Sequence, residues 1–411
     1  MSMKKRIAAG AMACATLAST MALTGCGTAY ALKTDNAEIS TGVYRYCLFY
    51  AYQNVKYSTQ DYTQSILSKD FDGQTGEELV REMAETYVKP FLVIEDKMKE
   101  LNLSLDDLTR YNAENSVDST WSSYKEMFEP YGITKSDYQY ITYDYSAKYS
   151  RVFEAIYGEG GEKEVSREDM ETYFNKNYSD VQYISISTSN DDGTERTDEE
   201  LAALKKELKG YATKINSGEL TMEEADAAYT DKHTEKTEDE EVTASAAEGE
   251  EDTTSNSNLH HSVGIISTTK NYPEKMVTAV EKLKNGKASF VDASDSGYLI
   301  LIQKNNIKDA VSDYFDNEDT ETKESNIFQI LADMKEEEYT AYMNDLAENY
   351  DMSKVTWNAA ESTDLDLRAL FEPDSVTSEE TSSVEETTSS KTEQSAAENA
   401  ASAASTASSD E

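Results

Sequence analysis

The chain has 411 residues, 80 of them acidic against 38 basic, for a formal net charge of −42. Phosphate backbones and anionic headgroups are repelled by such a chain, so nucleic acid is not an expected partner. Cationic or unfolded basic polypeptides are attracted, although most of the charge serves solubility, because much of it lies in two low-complexity segments.

At the start, Lys4, Lys5 and Arg6 precede small and apolar residues from Ile7 to Leu23. This is the pattern of a secretory signal, too short to span a bilayer comfortably. Leu23-Thr24-Gly25-Cys26 closes it and resembles a bacterial lipobox. The resemblance implies a signal peptide over 1–25 and a lipid on the Cys26 thiol, with the protein extracytoplasmic and tethered to the bacterial membrane surface. Cys14 leaves with the signal and Cys26 takes the lipid, so Cys47 has no intrachain disulfide partner. It reads as a small buried hydrophobe among aromatics.

Three helix starts share one pattern. Ser104 with Asp107, Thr134 with Asp137 and Ser166 with Asp169 each set a capping residue three before an acid, between apolar residues. Ser40, after Ile39, is a weaker version. Tyr44, Leu48, Ala51 and Val55 form one helical stripe. Leu79, Met83, Tyr87, Phe91, Ile94 and Met98 form another, with a kink expected at Pro90. The tyrosine-rich stretch 138–157 reads as helix-packing surface, with an amphipathic groove of exposed phenols as the functional alternative.

From Tyr178 the pattern changes. Val181–Ser187 alternates as a half-buried strand, and helices are expected over Asp198–Ser217 and Thr221–Tyr229, the second capped by Thr221 with Glu224. Ser262–Ile266 reads as a strand, Pro273–Leu283 as a helix and Tyr298–Ile302 as a last strand. The order β-α-α-β-α-β implies helices against a small sheet. A long helix over Ser325–Tyr350 follows, then a short strand at 354–357. Residues 231–258 and 374–411 have too few apolar side chains to offset the entropy of ordering, and are expected to be a disordered insert and tail.

These elements resemble the extracytoplasmic foldases of the PrsA and SurA type. The likeness rests on Ile39-Ser40-x-Gly42-x-Tyr44, Lys99-Glu100-Leu101-Asn102-Leu103 and the Val165-Ser166 helix running into Tyr173-Phe174. Further on it rests on Ile215-x-Ser217-Gly218, Val263-Gly264, Lys282-Leu283-Lys284-Asn285-Gly286 and Gly297-Tyr298. It implies an α+β protein: a mainly helical chaperone-like domain over 27–177, an inserted parvulin-like α+β domain over 178–305, and a returning C-terminal helix and strand over 306–358.

In that family an isomerase site lowers the barrier to X-Pro rotation, roughly 18–20 kcal/mol for an ordinary peptide bond. It cradles the proline in an apolar pocket beside two histidines and a cysteine or aspartate. Here Tyr183 stands at the first histidine, Leu299 at the second, Ser262 at the Asp/Cys position, Met276 at a groove phenylalanine and Glu281 at another aromatic position. These are the candidate prolyl-groove positions, and the catalytic set is degenerate. His260 and His261 border it; adjacent strand residues point to opposite faces, so at most one can join. Both read as solvent-facing, and His233 as inert within the insert.

No metal-ligand spacing, GxSxG, GxGxxG or Walker-type loop occurs, and no cofactor is expected. Asp70-Phe71-Asp72-Gly73 and Asp191-Asp192-Gly193 read as turns. The leading expectation is a membrane-anchored folding factor binding unfolded exported polypeptides. Its rivals are an active prolyl isomerase and a ligand-binding lipoprotein, which would need two α/β lobes.

Overall fold

A computed structural model describes residues 30–59, 65–190, 193–233, 257–265 and 272–373. The signal, Cys26, most of the acidic insert and the tail from 374 lie outside them. In chain order come β1 (Tyr30–Lys33), β2 (Glu38–Ser40), α1 (Thr41–Thr59), β3 (Asp70–Phe71), β4 (Gln74–Thr75), α2 (Gly76–Glu100), α3 (Asp107–Phe128), α4 (Lys135–Gln139) and α5 (Tyr145–Tyr157). Next are α6 (Arg167–Asn177), β5 (Ser179–Ser187), α7 (Asp198–Ser217), α8 (Met222–His233), β6 (Leu259–Gly264), α9 (Glu274–Lys282), β7 (Lys287–Ala293) and β8 (Tyr298–Lys304). The chain ends with α10 (Val311–Phe315), α11 (Thr320–Glu348), β9 (Thr356–Trp357) and α12 (Leu367–Phe371). The whole is α+β, and it divides into two units: one to Lys163 and again from Glu337, the other Glu164–Glu336.

In the first unit, Tyr44, Leu48, Ala51 and Val55 of α1 are all buried, as their spacing requires. Helix α2 runs unbroken through Pro90. Its innermost row is Val80, Ala84 and Val88, one position along from the expected stripe, whose Leu79, Met83 and Tyr87 are half-buried. Small and β-branched side chains on that row let α1 pack close. The expected cap at Ser104 is corrected: Asp106 caps α3, its carboxylate accepting the Thr109 N–H at 2.7 Å. An ionised acceptor is the stronger partner for the positive end of a helix. Thr134 and Ser166 cap α4 and α6 as expected. Asp72 and Gly73 both have positive φ and turn the β3–β4 hairpin.

The first unit's packing also extends beyond residue 358. β9 pairs with β1, the Phe371 ring stacks on Tyr52 at 4.8 Å, and Glu372 accepts the Ile66 N–H at 2.8 Å. Little in the run Ala359–Glu372 marks it as core except Leu367 and Phe371.

The second unit is built on an antiparallel sheet of order β6-β5-β8-β7. Alternation on β5 and β8 splits its core in two. Ile184, Ile186, Leu299 and Leu301 face α7 and α8; Val181, Ile300 and Ile302 face α9 through Met276 and Val280. Strand β7 is an element the sequence reading lacked, because Ser289 and Asp292 interrupt its apolar residues. The unit is also wider than 178–305. Phe174 of α6 packs on Tyr314 at 4.8 Å, and the Arg167 guanidinium donates two 2.7 Å bonds to the Asp316 carboxylate. The acidic insert is narrower than 231–258: Asp231–His233 continue α8, while Ser257 Oγ and the Asn258 N–H donate to the buried Asp226 carboxylate at 2.8 and 3.1 Å.

Candidate functional site

Strand parity decides which of the expected groove residues meet. Tyr183 on β5 stands opposite His260 on β6, and Val181 stands opposite Ser262. All four therefore share the face that α9 covers, where Met276 is buried at 1 % exposure. Leu299 is corrected: it is fully buried on the opposite face, among the residues packed on α7 and α8. It pairs with Ile186, not with an odd-numbered neighbour of Tyr183, so the pleat turns it away. Glu281 is exposed on α9.

Two further residues complete the cluster. The Tyr272 hydroxyl donates to Ser262 Oγ at 3.0 Å, and its ring meets Tyr183 edge-on at 5.9 Å. The His260 imidazole lies over Tyr183 with ring centroids 4.9 Å apart and 28° between planes. His260 is thus exposed, as expected, yet stacked into the cluster rather than inert. The available signal was the β5–β6 register, which one side of the acidic insert left unanchored in the sequence. His261 points to the other face and bonds Asp180 at 2.8 Å; His233 bonds Glu207 at 3.1 Å and stacks on Tyr229.

Burial, and then the neighbouring Tyr272, push the Tyr183 phenol up to about 12, so it keeps its proton as a donor. The result is a buried apolar layer of Met276, Val181 and Ile302 edged by two phenols, a hydroxyl and an imidazole. The apolar layer is closed, so the parts a ligand can reach are its rim, the exposed His260 ring and the half-buried Tyr183. Among the described residues no group of three or more His, Cys, Asp and Glu could hold a metal ion. Cys47 is fully buried, and burial pushes its thiol up, which suits a packing role.

In the first unit, a cleft of about 490 Å³ lies against Tyr44, Arg81, Glu85, Lys89 and Trp357, with Tyr44 and Trp357 edge-to-face at 5.5 Å. Tyr57, Leu108 and Tyr111 are exposed on the same unit.

No protein-family model matches the chain, and no curated protein matches it. Among solved structures it is similar to the crystal structure of foldase protein PrsA from Streptococcus pneumoniae str. Canada MDR_19A. The identity is 12 %, over 74 % of this chain and 98 % of that one, with a TM-score of 0.34. A likeness at that score carries no function to this chain. None of the described helices is long and apolar enough to cross a membrane.

Proposed function

We propose that the protein is an extracytoplasmic folding factor, anchored to a membrane through lipid on Cys26, that binds unfolded or folding exported polypeptides. The observation that carries the reading is the division of the chain. A mainly helical unit is interrupted by an α+β unit, and one sheet face of the latter gathers Tyr183, Ser262 and Met276. The lipobox and the ordered motifs of the PrsA and SurA type support it from the sequence.

In this reading the helical unit offers clients its exposed Tyr57, Leu108 and Tyr111 and the Tyr44–Trp357 cleft. Large amphipathic rings suit varied sequences, since they bury apolar area while keeping a polar edge wet. The second unit is a parvulin-like module that binds clients at its Tyr183–His260 edge more than it catalyses. Titrating the protein into a fluorescent polypeptide kept unfolded by reducing its disulfides tests this. Saturable binding, weakened when the same polypeptide is folded with its disulfides intact, is expected; equal affinity for folded and unfolded forms overturns it.

One observation favours a second reading, an active prolyl isomerase. His260 supplies an imidazole beside Tyr183 although both family histidine positions are occupied by other residues. NMR exchange spectroscopy on a proline peptide separates the two. Catalysed exchange lost in both Met276→Ala and His260→Ala favours the isomerase, and no catalysed exchange favours the binding module. Neither reading needs a cofactor. A ligand-binding lipoprotein would need two many-stranded α/β lobes, and the described residues supply sheets of three, two and four strands.

A further inference from the structure

The outer edge of β7 carries an interaction surface separate from the Tyr183 cluster. β7 ends the sheet, so alternate residues turn their backbone groups away from β8. Ala288 is one of them. The Asn216 side-chain amide donates to its carbonyl at 2.8 Å and accepts its N–H at 2.9 Å, the two-point pairing a neighbouring strand would make. By the same parity the outward groups of Phe290 and Asp292 follow, and among the described residues the Phe290 carbonyl accepts from the Ser289 hydroxyl alone, at 3.3 Å.

Beside these groups lies a groove of about 400 Å³ between β7 and α9, floored by Ala279, Leu283 and Val291. An extended segment laid along it would pair with the strand and set alternate side chains under α9 and over α7. Cations flank both rows. Lys275 and Lys282 border the groove on α9; on the α7 side Lys205 bonds Asp292 at 2.7 Å and Lys209 sits over the Phe290 ring at 5.3 Å. Among the described residues Lys209 and Lys282 have no carboxylate within ion-pair distance. Lys205 and Lys275 are paired with Asp292 and Asp295, which leaves Lys209 and Lys282 as the two cations beside the open strand edge on a chain of charge −42.

The geometry points to an acidic, extended polypeptide segment as the occupant: it adds a short strand to β7 and places carboxylates against Lys209 and Lys282. This extends the proposed function to a second contact with its own side-chain preference, and it stands whether or not the Tyr183 cluster binds clients.

The test uses the full chain and fluorescent synthetic peptides of alternating Glu and Thr, alternating Lys and Thr, and the Glu-Thr peptide N-methylated at alternate amides. The Glu-Thr peptide should bind. The Lys-Thr peptide should bind at least tenfold more weakly, and N-methylation in the pairing register should cost a similar factor. Lys209→Glu with Lys282→Glu should lower affinity roughly tenfold, the scale of two exposed charge contacts reversed. Both side chains are at the surface, and an unchanged unfolding midpoint checks that the fold persists. Equal binding of the methylated peptide, equal binding by the double variant, or no binding would each overturn the proposal. In the last case the lysines only blunt the edge against aggregation. Self-association that the Glu-Thr peptide does not reverse would overturn it as well.

Discussion

Asp137 shows how one side chain can fix a fold locally. Its carboxylate is buried at 5 % exposure, accepts the Thr134 N–H at 2.9 Å and also receives the Ser40 hydroxyl from the start of α1. Gly42 exists to admit it, since a Cβ there would sit 2.0 Å from Asp137 Oδ2. Gly42→Ala should therefore destabilise by about 1–3 kcal/mol in urea unfolding. The cost should shrink in an Asp137→Ala background; equal costs in both would show that the carboxylate is not the obstacle. The Ile39-Ser40-x-Gly42 motif is visible in the sequence, but its reason is not, because Asp137 lies 95 positions from Gly42. Asp292 offers a titration. The hydrogen bond from Lys205, with help from Ser294 and against some burial, lowers its pKa from an ordinary 3.8 to about 2. A depressed carboxylate stabilises the fold above its unfolded pKa and loses that contribution as pH falls through about 2. Carboxyl-carbon NMR on Lys205→Met should find Asp292 titrating closer to 3.8, and an unmoved midpoint would refute the pairing.

Alternation is the decisive property among the elements. Val181–Ser187 announces a strand by its period of two, and capping residues announce α4, α6 and α8. Such signals are local, so the sequence carries them. The partner of a strand is not local. The sequence motif sets Leu299 beside Tyr183, whereas the register puts it opposite Ile186 on the other face and stands His260 over Tyr183. β7 carries no continuous apolar run, because its edge position needs none. Two outcomes follow. Leu299→Ala should lose about 2–5 kcal/mol of stability, as a buried large-to-small change does, with affinity for unfolded clients unchanged in the remaining folded protein. A loss of affinity without a loss of stability would place Leu299 in the binding face. Asn216→Ala should leave the Ala288 backbone pair open, speed hydrogen exchange at the Ala288 amide and cost about 1–3 kcal/mol. Unchanged exchange there would mean the amide pairing is not what protects the edge.

At the scale of the molecule, the chain leaves the helical unit after Lys163, builds an α+β unit, and returns along α11 at Glu337. A change from helical to strand periodicity near Tyr178 marks the excursion in the sequence, but the unit begins earlier, at Glu164, because α6 packs by aromatic contact with α10. Most of the acidic insert and the tail lie outside the described residues, and charge hides the insert's margins in the sequence: Asp226, an acid beside many acids, is the one that holds Ser257 and Asn258. Whether this organisation serves folding of other chains is best decided by light scattering. A chemically denatured client is diluted into buffer with the lipid-free mature chain at equal molar ratio. Suppressed aggregation is expected, reduced when Tyr57, Leu108 and Tyr111 are together replaced by serine. Aggregation as fast as with an equally acidic inert protein would contradict a role in holding unfolded polypeptides.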